Sequence, residues 1–552
     1  MTDKNGDLAF LPLGGTGEIG MNLNLYRSGG SWLAVDCGIG FGGGDMPEVE
    51  VMMADPAFIA ERRDRLRGLV ITHGHEDHVG AVAHLWRALR CPVYATPFTA
   101  AVLRRKLSEA MLLDQVPVHV IPPGGSIDLA PFAISFIRMA HSIPEAQALA
   151  IRTPQGTVLH TGDWKIDTEP VILPKTDEAK LRALGDEGCL ALIGDSTNAV
   201  RDGRSPSERE VGRSLQKLIA AARGRVAVTT FASNVGRVRA VAEAAAACDR
   251  EVVLVGRAME RIAQVARETG YLDGINEFRS MDAYGYLPPD KVVALCTGSQ
   301  GEPRAALARI AQDEHPEVTL SKGDLVIFSS RAIPGNEKPI TKIINGLIAQ
   351  GVEVITDRTH LVHVSGHPRR EELQDMLSWV RPQTLIPVHG EALHMHEHGE
   401  LARKAGIKQI VTCQNGDLIR LAPGAPSVID EVPAGRIYKD GALLVNAEDR
   451  TVADRRRLGF AGVISVAIVV SERGELATDP EIEITGIPQK DMEGREIGQL
   501  AYNALMEAFD SMPRTRRRDP DTVAEAIQRA VRGSVSRVWR KKPLCHVHVL
   551  TV

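Results

Sequence analysis

Short apolar runs that end in polar residues recur along the first part of the chain. Runs of this kind predict strands, because a strand buries its apolar side chains over only a few residues. The predicted strands are Leu8–Leu13, Asn22–Tyr26, Trp32–Asp36, Leu69–Ile71, Val93–Ala95, Val118–Ile121, Ala133–Met139 and Thr157–Thr161. A helix-like segment, AVAHLWRAL, follows Gly80. The pattern predicts sheets flanked by helices.

Between about Asp195 and Thr359 the pattern changes to repeated strand–loop–helix units. Their apolar runs are Arg225–Thr230, Glu251–Val255, Lys291–Cys296 and Leu325–Phe328. Such alternation predicts a parallel sheet with helices on its faces. The first helix of this block is predicted to begin with Ser205 as N-cap, Pro206 at the first helical position and Glu208 completing a capping box.

The earlier pattern returns after this block. VHVSGHP occupies Val362–Pro368, and the predicted strand Thr384–Val388 leads directly into His389. A connecting region follows Pro423, and a C-terminal domain begins near Gly459. Its predicted elements are the strands Gly462–Val470 and Cys545–Val552 and the helices Gly498–Asp510 and Asp521–Val531.

The composition is that of an ordinary soluble protein. The chain has 552 residues, of which 44% are apolar and 24% charged, and its length predicts about three or four domains. The net charge of −5 gives no general attraction to nucleic acid. The sequence predicts a cytoplasmic protein outside the membrane. Its seven scattered cysteines form no CxxC pair, none of its apolar runs is long enough to cross a bilayer, and its start does not resemble a leader peptide.

The strongest chemical signal is GLVITHGHEDHVG at Gly68–Gly80. It places His73, His75, Asp77 and His78 at the end of a predicted strand, where they can converge on one point. Imidazole and carboxylate groups suit zinc, and also manganese or iron. This stretch therefore predicts a metal site.

Three more strand ends supply further candidates, namely His141, Asp163 and His389. Seven ligands exceed what one ion takes, so we expect two divalent ions with Asp163 between them. Two ions roughly 3.5–4 Å apart activate water at neutral pH and stabilise the attacking and leaving oxygens, which suits phosphodiester hydrolysis. Because the candidates lie on both sides of the βα block, the block is predicted to be an insertion. For Asp36, two roles are equally compatible with the sequence: a hydrogen-bond partner of a ligating histidine, or a turn residue.

HxHxDH at His73–His78 resembles the signature of the metallo-β-lactamase superfamily, and the βα block resembles the β-CASP domain of its nucleic-acid-processing branch. Asp195 in GDSTNA, His367 in HVSGHP and His389 in PVHGE correspond to motifs A, B and C of that branch. TFASN, TGSQGEP, SSRAIPGNE and HVSGHPRREEL together resemble the ribonuclease J family of bacteria. Histidine at motif C is typical of members that act on RNA, whereas DNA-acting members tend to carry valine.

This resemblance implies a fold and a division into domains. The expected fold is α/β: a metallo-β-lactamase αββα sandwich with an inserted β-CASP α/β domain and a small C-terminal α/β domain. The expected bounds are 1–200 and 359–430 for the sandwich, 201–358 for the insertion, 431–458 for a linker and 459–552 for the C-terminal domain.

The resemblance also implies roles for the metal ligands. His73, His75 and His141 are expected to hold one ion, Asp77, His78 and His389 the other, and Asp163 to bridge them. Zinc is the expected metal, with manganese or magnesium as alternative activators. Asp77 is expected to take part in catalysis as well as in metal binding.

The remaining candidates concern the substrate. A polar loop that can hold a phosphate consists of His363, Val364, Ser365, Gly366 and His367. His367 can also protonate the leaving 3′-oxygen. Asp195 is expected to orient His367 or to share its proton. Ser233 and Asn234 lie at a helix start that favours an anion, with simple helix capping as the alternative.

The sequence thus predicts a two-metal ribonuclease of RNA maturation and decay, acting 5′ to 3′ on single-stranded RNA, favouring 5′-monophosphate ends and capable of internal cleavage. A homodimer or homotetramer is expected from the resemblance. The alternatives are a DNA nuclease of the same branch, which His389 disfavours, and a non-catalytic RNA-binding subunit, which would have lost ligands.

Two further stretches carry histidines or basic residues outside these motifs. His394, His396 and His398 alternate on a predicted helix and point in different directions, so they are expected at the surface or behind the site rather than as a second metal centre. The basic stretch Arg514–Arg518 fits an RNA-attracting face, a dimer contact or a solvated surface.

Overall fold

The computed structural model describes residues 6–42, 49–172 and 174–552, and its contacts divide the chain into two compact units, Met1–Leu444 and Val445–Val552. The strands are β1 Leu8–Gly14, β2 Leu23–Ser28, β3 Ser31–Val35, β4 Ile39–Phe41, β5 Val51–Ala54, β6 Leu66–Val70, β7 Val93–Ala95, β8 Val118–Val120, β9 Ser126–Leu129, β10 Phe132–Arg138, β11 Gln147–Thr153, β12 Gly156–His160, β13 Ala191–Asp195, β14 Val226–Thr229, β15 Glu251–Val255, β16 Val292–Cys296, β17 Leu325–Phe328, β18 Glu353–Ile355, β19 Thr384–Val388, β20 Gln409–Ile410, β21 Asp417–Ala422, β22 Ser427–Glu431, β23 Arg436–Asp440, β24 Leu443–Asn446, β25 Val463–Val470, β26 Glu481–Thr485 and β27 Leu544–Thr551. The α-helices are α1 Ala57–Ala60, α2 Glu76–Val79, α3 Val82–Leu89, α4 Pro97–Glu109, α5 Glu178–Glu187, α6 Glu208–Ala221, α7 Val235–Ala247, α8 Arg257–Glu268, α9 Ala306–Ala311, α10 Glu337–Ala349, α11 Arg370–Val380, α12 Ala392–Lys404, α13 Arg450–Ala461, α14 Ile497–Ser511 and α15 Pro520–Trp539.

Two large sheets in the first unit pack face to face. Their strand orders are β22-β21-β1-β2-β3-β6-β7-β8 and β20-β19-β13-β12-β11-β10-β9. An apolar core that includes Phe10, Phe136 and Ile386 lies between them. The outer face of the first sheet packs against α3 and α4, and that of the second against α5, α11 and α12. This is the predicted αββα sandwich.

The βα block forms its own parallel sheet, ordered β15-β16-β14-β17-β18. Separate apolar cores cover its two faces, one with α6, α7 and α8 and the other with α9 and α10. The chain leaves the sandwich after β13 and returns at β19, and these two strands pair directly, with Asp195 opposite Val388. The block is therefore an insertion between neighbouring strands, as predicted.

The second unit is a three-stranded sheet, β26-β25-β27, packed against α14 and α15. In the basic stretch, Arg514 pairs with Glu475 at 3.2 Å, and the Arg517 guanidinium lies 4.7 Å from the Phe509 ring centroid. Two of these arginines thus have partners inside the unit. Across the described residues, no helix is both long and apolar enough to cross a bilayer.

Several local predictions differ from the structure. The N-cap of α6 is Ser207 rather than Ser205, because Ser207 accepts the Arg209 N–H and the Glu210 carboxylate accepts the Ser207 N–H. The Ser205 N–H instead donates to Glu372. The strands that were not predicted are β4, β5, β9, β11, β13, β18, β20, β21, β22, β23, β24 and β26. The segment 431–458, predicted as a linker, contains β23, which pairs with β5, and most of α13.

Candidate metal centre

The seven predicted ligand side chains converge on two adjoining groups. The first group is His73, His75, His141 and Asp163, and the second is Asp77, His78, Asp163 and His389. Within each group the candidate ligand atoms lie within 4.8 Å of one another. Asp163 belongs to both, with Oδ2 3.2 Å from His78 Nε2 and Oδ1 3.5 Å from His389 Nε2.

Strand ends of both large sheets position these side chains. β6 stops at Val70 just before the HGHEDH segment, whereas β10, β12 and β19 stop shortly before His141, Asp163 and His389. The loop after β3 approaches so closely that a Cβ on Gly38 would lie 1.6 Å from the Asp77 carbonyl oxygen. Only glycine allows that approach, and it brings the two loops together.

Four of the five histidines are oriented by a hydrogen bond from the nitrogen that faces away from the groups. Nδ1 of each donates to an oxygen: His73 to Thr72 Oγ1 at 3.0 Å, His78 to Asp36 Oδ2 at 2.7 Å, His141 to the Gly366 carbonyl at 2.7 Å and His389 to Asn22 Oδ1 at 3.1 Å. In the neutral form of such a ring, a proton on Nδ1 leaves the Nε2 lone pair directed toward the groups. Such outward hydrogen bonds are characteristic of metal-binding histidines.

Asp36 combines both of the roles considered for it. Its backbone lies in the left-handed region, with a φ of 62°. Its carboxylate accepts the His78 N–H and also the Thr72 backbone N–H at 2.8 Å. The turn residue is therefore also the partner that orients a candidate ligand.

Burial and neighbouring charge shift the pKa values in opposite directions within the centre. Burial lowers the pKa of His73 and His141 well below the ordinary value and that of His75 to about 4, so these rings are neutral. Burial also opposes a charge on His78, but Asp163, Asp77 and Asp36 raise its pKa well above the ordinary value. Burial raises the pKa of Asp163, but His389, His78 and His367 outweigh it and keep the carboxylate ionised.

The donor set fits two divalent metal ions. Asp163 Oδ1 and His389 Nε2 are buried and make no hydrogen bond to the described residues. His75 Nδ1 lies 3.1 Å from both His73 Nε2 and His141 Nε2. A buried anion and unprotonated nitrogens facing one another are costly unless a cation lies between them.

His367 adjoins both groups without belonging to either. Its Nδ1 donates to Asp195 Oδ2 at 2.8 Å, and its ring stacks on His389 with centroids 5.6 Å apart. Burial lowers the pKa of His367, but Asp195 and Asp163 outweigh it and raise that pKa to about 9. The imidazole is therefore protonated at neutral pH and fixed in orientation by Asp195.

The loop His363–His367 is attached directly to the first group. The Gly366 carbonyl accepts the His141 hydrogen bond, and a Cβ on Gly366 would lie 2.6 Å from His141 Cε1 and 2.9 Å from Ser142 Oγ. Asn198 Nδ2 donates to Ser365 Oγ at 2.9 Å and to the His367 carbonyl at 3.1 Å. The loop is thus positioned by a candidate metal ligand on one side and by Asn198 on the other.

The other predicted substrate-binding residues differ in burial and in their hydrogen bonds. The Val364 side chain is buried in the apolar core of the insertion, so only its backbone can face a ligand. Burial and the charges of Arg237, Arg331 and Lys165 lower the pKa of His363, so that ring is neutral. Asn234 is the N-cap of α7 and accepts the Arg237 N–H at 2.9 Å, as the capping alternative predicted. Ser233 precedes it and is partly exposed.

The comparisons with known families cover most of the chain. Residues 20–256 match the metallo-beta-lactamase superfamily, 223–347 the ribonuclease J beta-CASP domain, 351–412 the Zn-dependent metallo-hydrolase RNA specificity domain and 450–552 the ribonuclease J C-terminal domain. A ribonuclease J from Sinorhizobium meliloti is 52% identical over 99% of this chain and 98% of its own length. The chain belongs to the ribonuclease J family.

A second relative and a solved structure are less similar to this chain. The ribonuclease J of Mycolicibacterium smegmatis is 38% identical over 98% of this chain and 96% of its own length. A crystal structure of a protein of unknown function from Enterococcus faecalis V583 aligns with a TM-score of 0.54 at 14% identity, over 75% of this chain and all of that one. The latter likeness concerns the fold alone.

Sequence reasoning considered Asp36 as a partner of a ligating histidine but missed Thr72 and Asn22, which orient candidate ligands, and Asn198, which positions the loop. Asn22 and Asn198 carry no local signal, because each acts on residues far along the chain, such as His389 and Ser365. Thr72 directly precedes His73 and could have been found from that position. Of the three alternating histidines, His398 is buried behind Asp195, with Nδ1 3.0 Å from Ser196 Oγ.

Proposed function

We propose that this chain is a metal-dependent ribonuclease that hydrolyses single-stranded RNA from the 5′ end, favours 5′-monophosphate ends and acts in RNA maturation and decay. Internal cleavage is the second mode of the same centre. The observation that carries the proposal is the pair of candidate ligand groups sharing Asp163, next to a polar loop, in a chain of the ribonuclease J family. We take zinc as the metal, with manganese or magnesium as alternatives.

The divalent ions would be held by His73, His75 and His141 on one side and by Asp77, His78 and His389 on the other, with Asp163 shared. When bound, they would supply activation of water and offset the negative charge that accumulates on the phosphoryl oxygens.

The proton for the leaving group has its own source in the chain. His367 is protonated at neutral pH, and its Nδ1–H is taken by Asp195, so Nε2–H is the group available to a leaving 3′-oxygen. Both Asp195 oxygens are engaged, since Oδ1 accepts the Thr197 N–H at 2.9 Å. Asp195 therefore keeps the ring oriented and charged.

The loop around Ser365 is suited to a terminal phosphate. Among the described residues, the backbone N–H groups of residues 363–366 donate to no protein acceptor. A row of free N–H groups favours an anion. We assign this loop, with Ser233 and Asn234 at the start of α7, to the 5′-monophosphate of the RNA.

Three arginines close to this loop favour a polyanionic substrate. Burial and the charges of Arg331 and Arg369 lower the pKa of Arg201, so the three guanidinium groups repel one another. Arg331 pairs with Asp357 at 3.2 Å, which compensates only part of that charge. Successive RNA phosphates would compensate the rest.

Two finer predictions complete the proposal. A cytoplasmic location accords with the seven cysteines, all of which are free thiols. Assembly into a homodimer or homotetramer stays an expectation from the family. A sizing column coupled to light scattering decides between monomer, dimer and tetramer.

The test is cleavage of RNA labelled at its 3′ end, with zinc or manganese added. Matched RNAs carry a 5′-monophosphate, 5′-triphosphate or 5′-hydroxyl group, and a DNA of the same sequence and a His75→Ala protein serve as controls. Processive loss that is fastest for the monophosphate RNA supports the proposal. Internal products from every RNA indicate the endonuclease mode. Cleavage of DNA alone, or full activity of His75→Ala, would contradict the proposal.

A further inference from the structure

We propose that Asn198 is a positioning residue that makes the Ser365 hydroxyl a dedicated donor to the 5′-phosphate, so that Asn198 sets the preference for monophosphorylated RNA. This inference rests on the proposed function. It assigns a role in substrate discrimination to a residue whose side chain bonds Ser365 and the His367 carbonyl and none of the candidate metal ligands.

The orientation of the Asn198 amide follows from its partners. Its side chain is 5% exposed, and one end of the amide lies 3.1 Å from the His367 carbonyl oxygen. A carbonyl oxygen only accepts hydrogen bonds, so the atom facing it must be the amide nitrogen rather than the amide oxygen. The second hydrogen of the same nitrogen then points to Ser365 Oγ, 2.9 Å away.

This arrangement leaves Ser365 only one way to bond further. Its oxygen accepts from Asn198 Nδ2 at 2.9 Å and from the His367 backbone N–H at 3.3 Å. A hydroxyl oxygen has two lone pairs and one proton, so both acceptor sites are taken. Within residues 6–42, 49–172 and 174–552, the Ser365 hydroxyl proton is given to no acceptor. It is free for an anion.

A hydroxyl with both lone pairs engaged discriminates between RNA ends. A 5′-phosphate oxygen accepts the proton, and the hydrogen bond is strengthened by the charge of the phosphate. A 5′-hydroxyl end offers a weaker acceptor, and its own proton finds no free lone pair on Ser365. Without Asn198, Ser365 could turn its proton inward or accept from solvent, and the discrimination would fall.

The test compares kcat/KM for one RNA with a 5′-monophosphate or a 5′-hydroxyl end, using the metal-loaded full chain. Asn198→Ala, Ser365→Ala and the double variant are compared with the wild type. We expect Asn198→Ala to lower the monophosphate-to-hydroxyl ratio by about tenfold, with the rate on 5′-hydroxyl RNA changed far less. In the Ser365→Ala background, loss of Asn198 is expected to change the ratio no further.

Ser205→Ala is the matched control, because Ser205 Oγ donates to the same His367 carbonyl, at 3.4 Å, without contacting Ser365. Its ratio is expected to equal that of the wild type. Dissociation constants of the two RNAs are measured in chelator, where no cleavage occurs. Their monophosphate-to-hydroxyl preference is expected to fall in Asn198→Ala and to stay unchanged in Ser205→Ala.

Failure of the proposed function and failure of this inference give different results. A wild-type protein that cleaves neither RNA overturns the proposed function and this inference with it. A wild type that prefers the monophosphate, combined with equal losses of Asn198→Ala on both RNAs, overturns this inference alone. So does an effect of Asn198→Ala that persists undiminished in the Ser365→Ala background.

Discussion

The HGHEDH segment and the HVSGH loop adjoin each other, yet they are held in place differently. The metal side is supported mainly by nearby groups of the sandwich: Thr72 and Asp36 orient His73 and His78. The HVSGH loop, the proposed phosphate side, is supported from a distance, by Asn198 and by His141. Part of its support comes from the insertion, where the buried Arg237 donates to the Val362 carbonyl at 2.8 Å.

This difference teaches that one short motif can encode the first four candidate ligands of a metal site, whereas the neighbouring loop depends on the assembled fold. Arg237 also pairs with Glu208 at 2.7 Å, inside the insertion. We therefore expect changes on the metal side to abolish chemistry, and changes on the phosphate side to alter which RNA is preferred.

The largest effect is expected at Asp163, which serves both ligand groups. Asp163→Ala should lower activity by roughly 10³-fold or more, because several kcal/mol of charge stabilisation at the phosphoryl group are lost. Activity and bound metal per chain are the measurements. Asp64→Asn, an exposed aspartate on the same sandwich, should match the wild type. An Asp163→Ala protein that retains full activity and metal would contradict the assignment.

The junction between the two sides is tested by Gly366→Ala. The new Cβ would lie 2.6 Å from His141 Cε1, so the loop and the candidate ligand would have to move apart. We expect activity to fall about 10²-fold on 5′-monophosphate and 5′-hydroxyl RNA alike.

Gly533→Ala is the control for Gly366→Ala, since a Cβ at that position in α15 meets nothing within 4 Å. It should leave activity unchanged and raise the free energy of unfolding of the second unit by about 0.5–1 kcal/mol. Thermal unfolding measures this. Normal activity of Gly366→Ala would show that the close approach has no functional importance.

Asp36→Asn removes the charge behind His78 while keeping a residue that tolerates the left-handed backbone. Metal affinity at the second group, or activity, should fall about 10- to 100-fold, as expected for a partner of a metal-binding histidine. Titration with zinc while metal content and activity are followed provides the measurement. Unchanged affinity would leave Asp36 as a turn residue only.

The smallest effect is expected at Asn234, where capping and phosphate binding make different predictions. Asn234→Ala should cost about 1 kcal/mol of stability through loss of the cap, whereas Asn234→Ser should restore most of it. Thermal unfolding of both variants measures the cap. If Asn234→Ser also restores the monophosphate preference fully, the residue is a cap alone; a preference that stays lowered by several-fold indicates phosphate contact.

Local sequence patterns were reliable where a residue acts through its neighbours. Most strands of the sandwich and the insertion were predicted with bounds shifted by only one or two residues. The N-cap of α6 was predicted two residues early. The Ser205 N–H donates to Glu372 on α11, and Ser207 caps the helix instead. Strand β23 was missed because its sequence, RIYKD, is mostly polar and its position is decided by pairing with β5.

The sequence by itself indicated the candidate ligands, the insertion and the polar loop His363–His367, because strand ends, the order of elements and local residue types mark them. Only the tertiary structure decided which nitrogen of each histidine faces the centre, which carboxylate orients it and how Asn198 meets Ser365. These contacts join residues as far apart as Asn22 and His389, separated by 367 positions. Hydrogen bonds between distant residues form only when sheets and loops pack, so no local pattern encodes them.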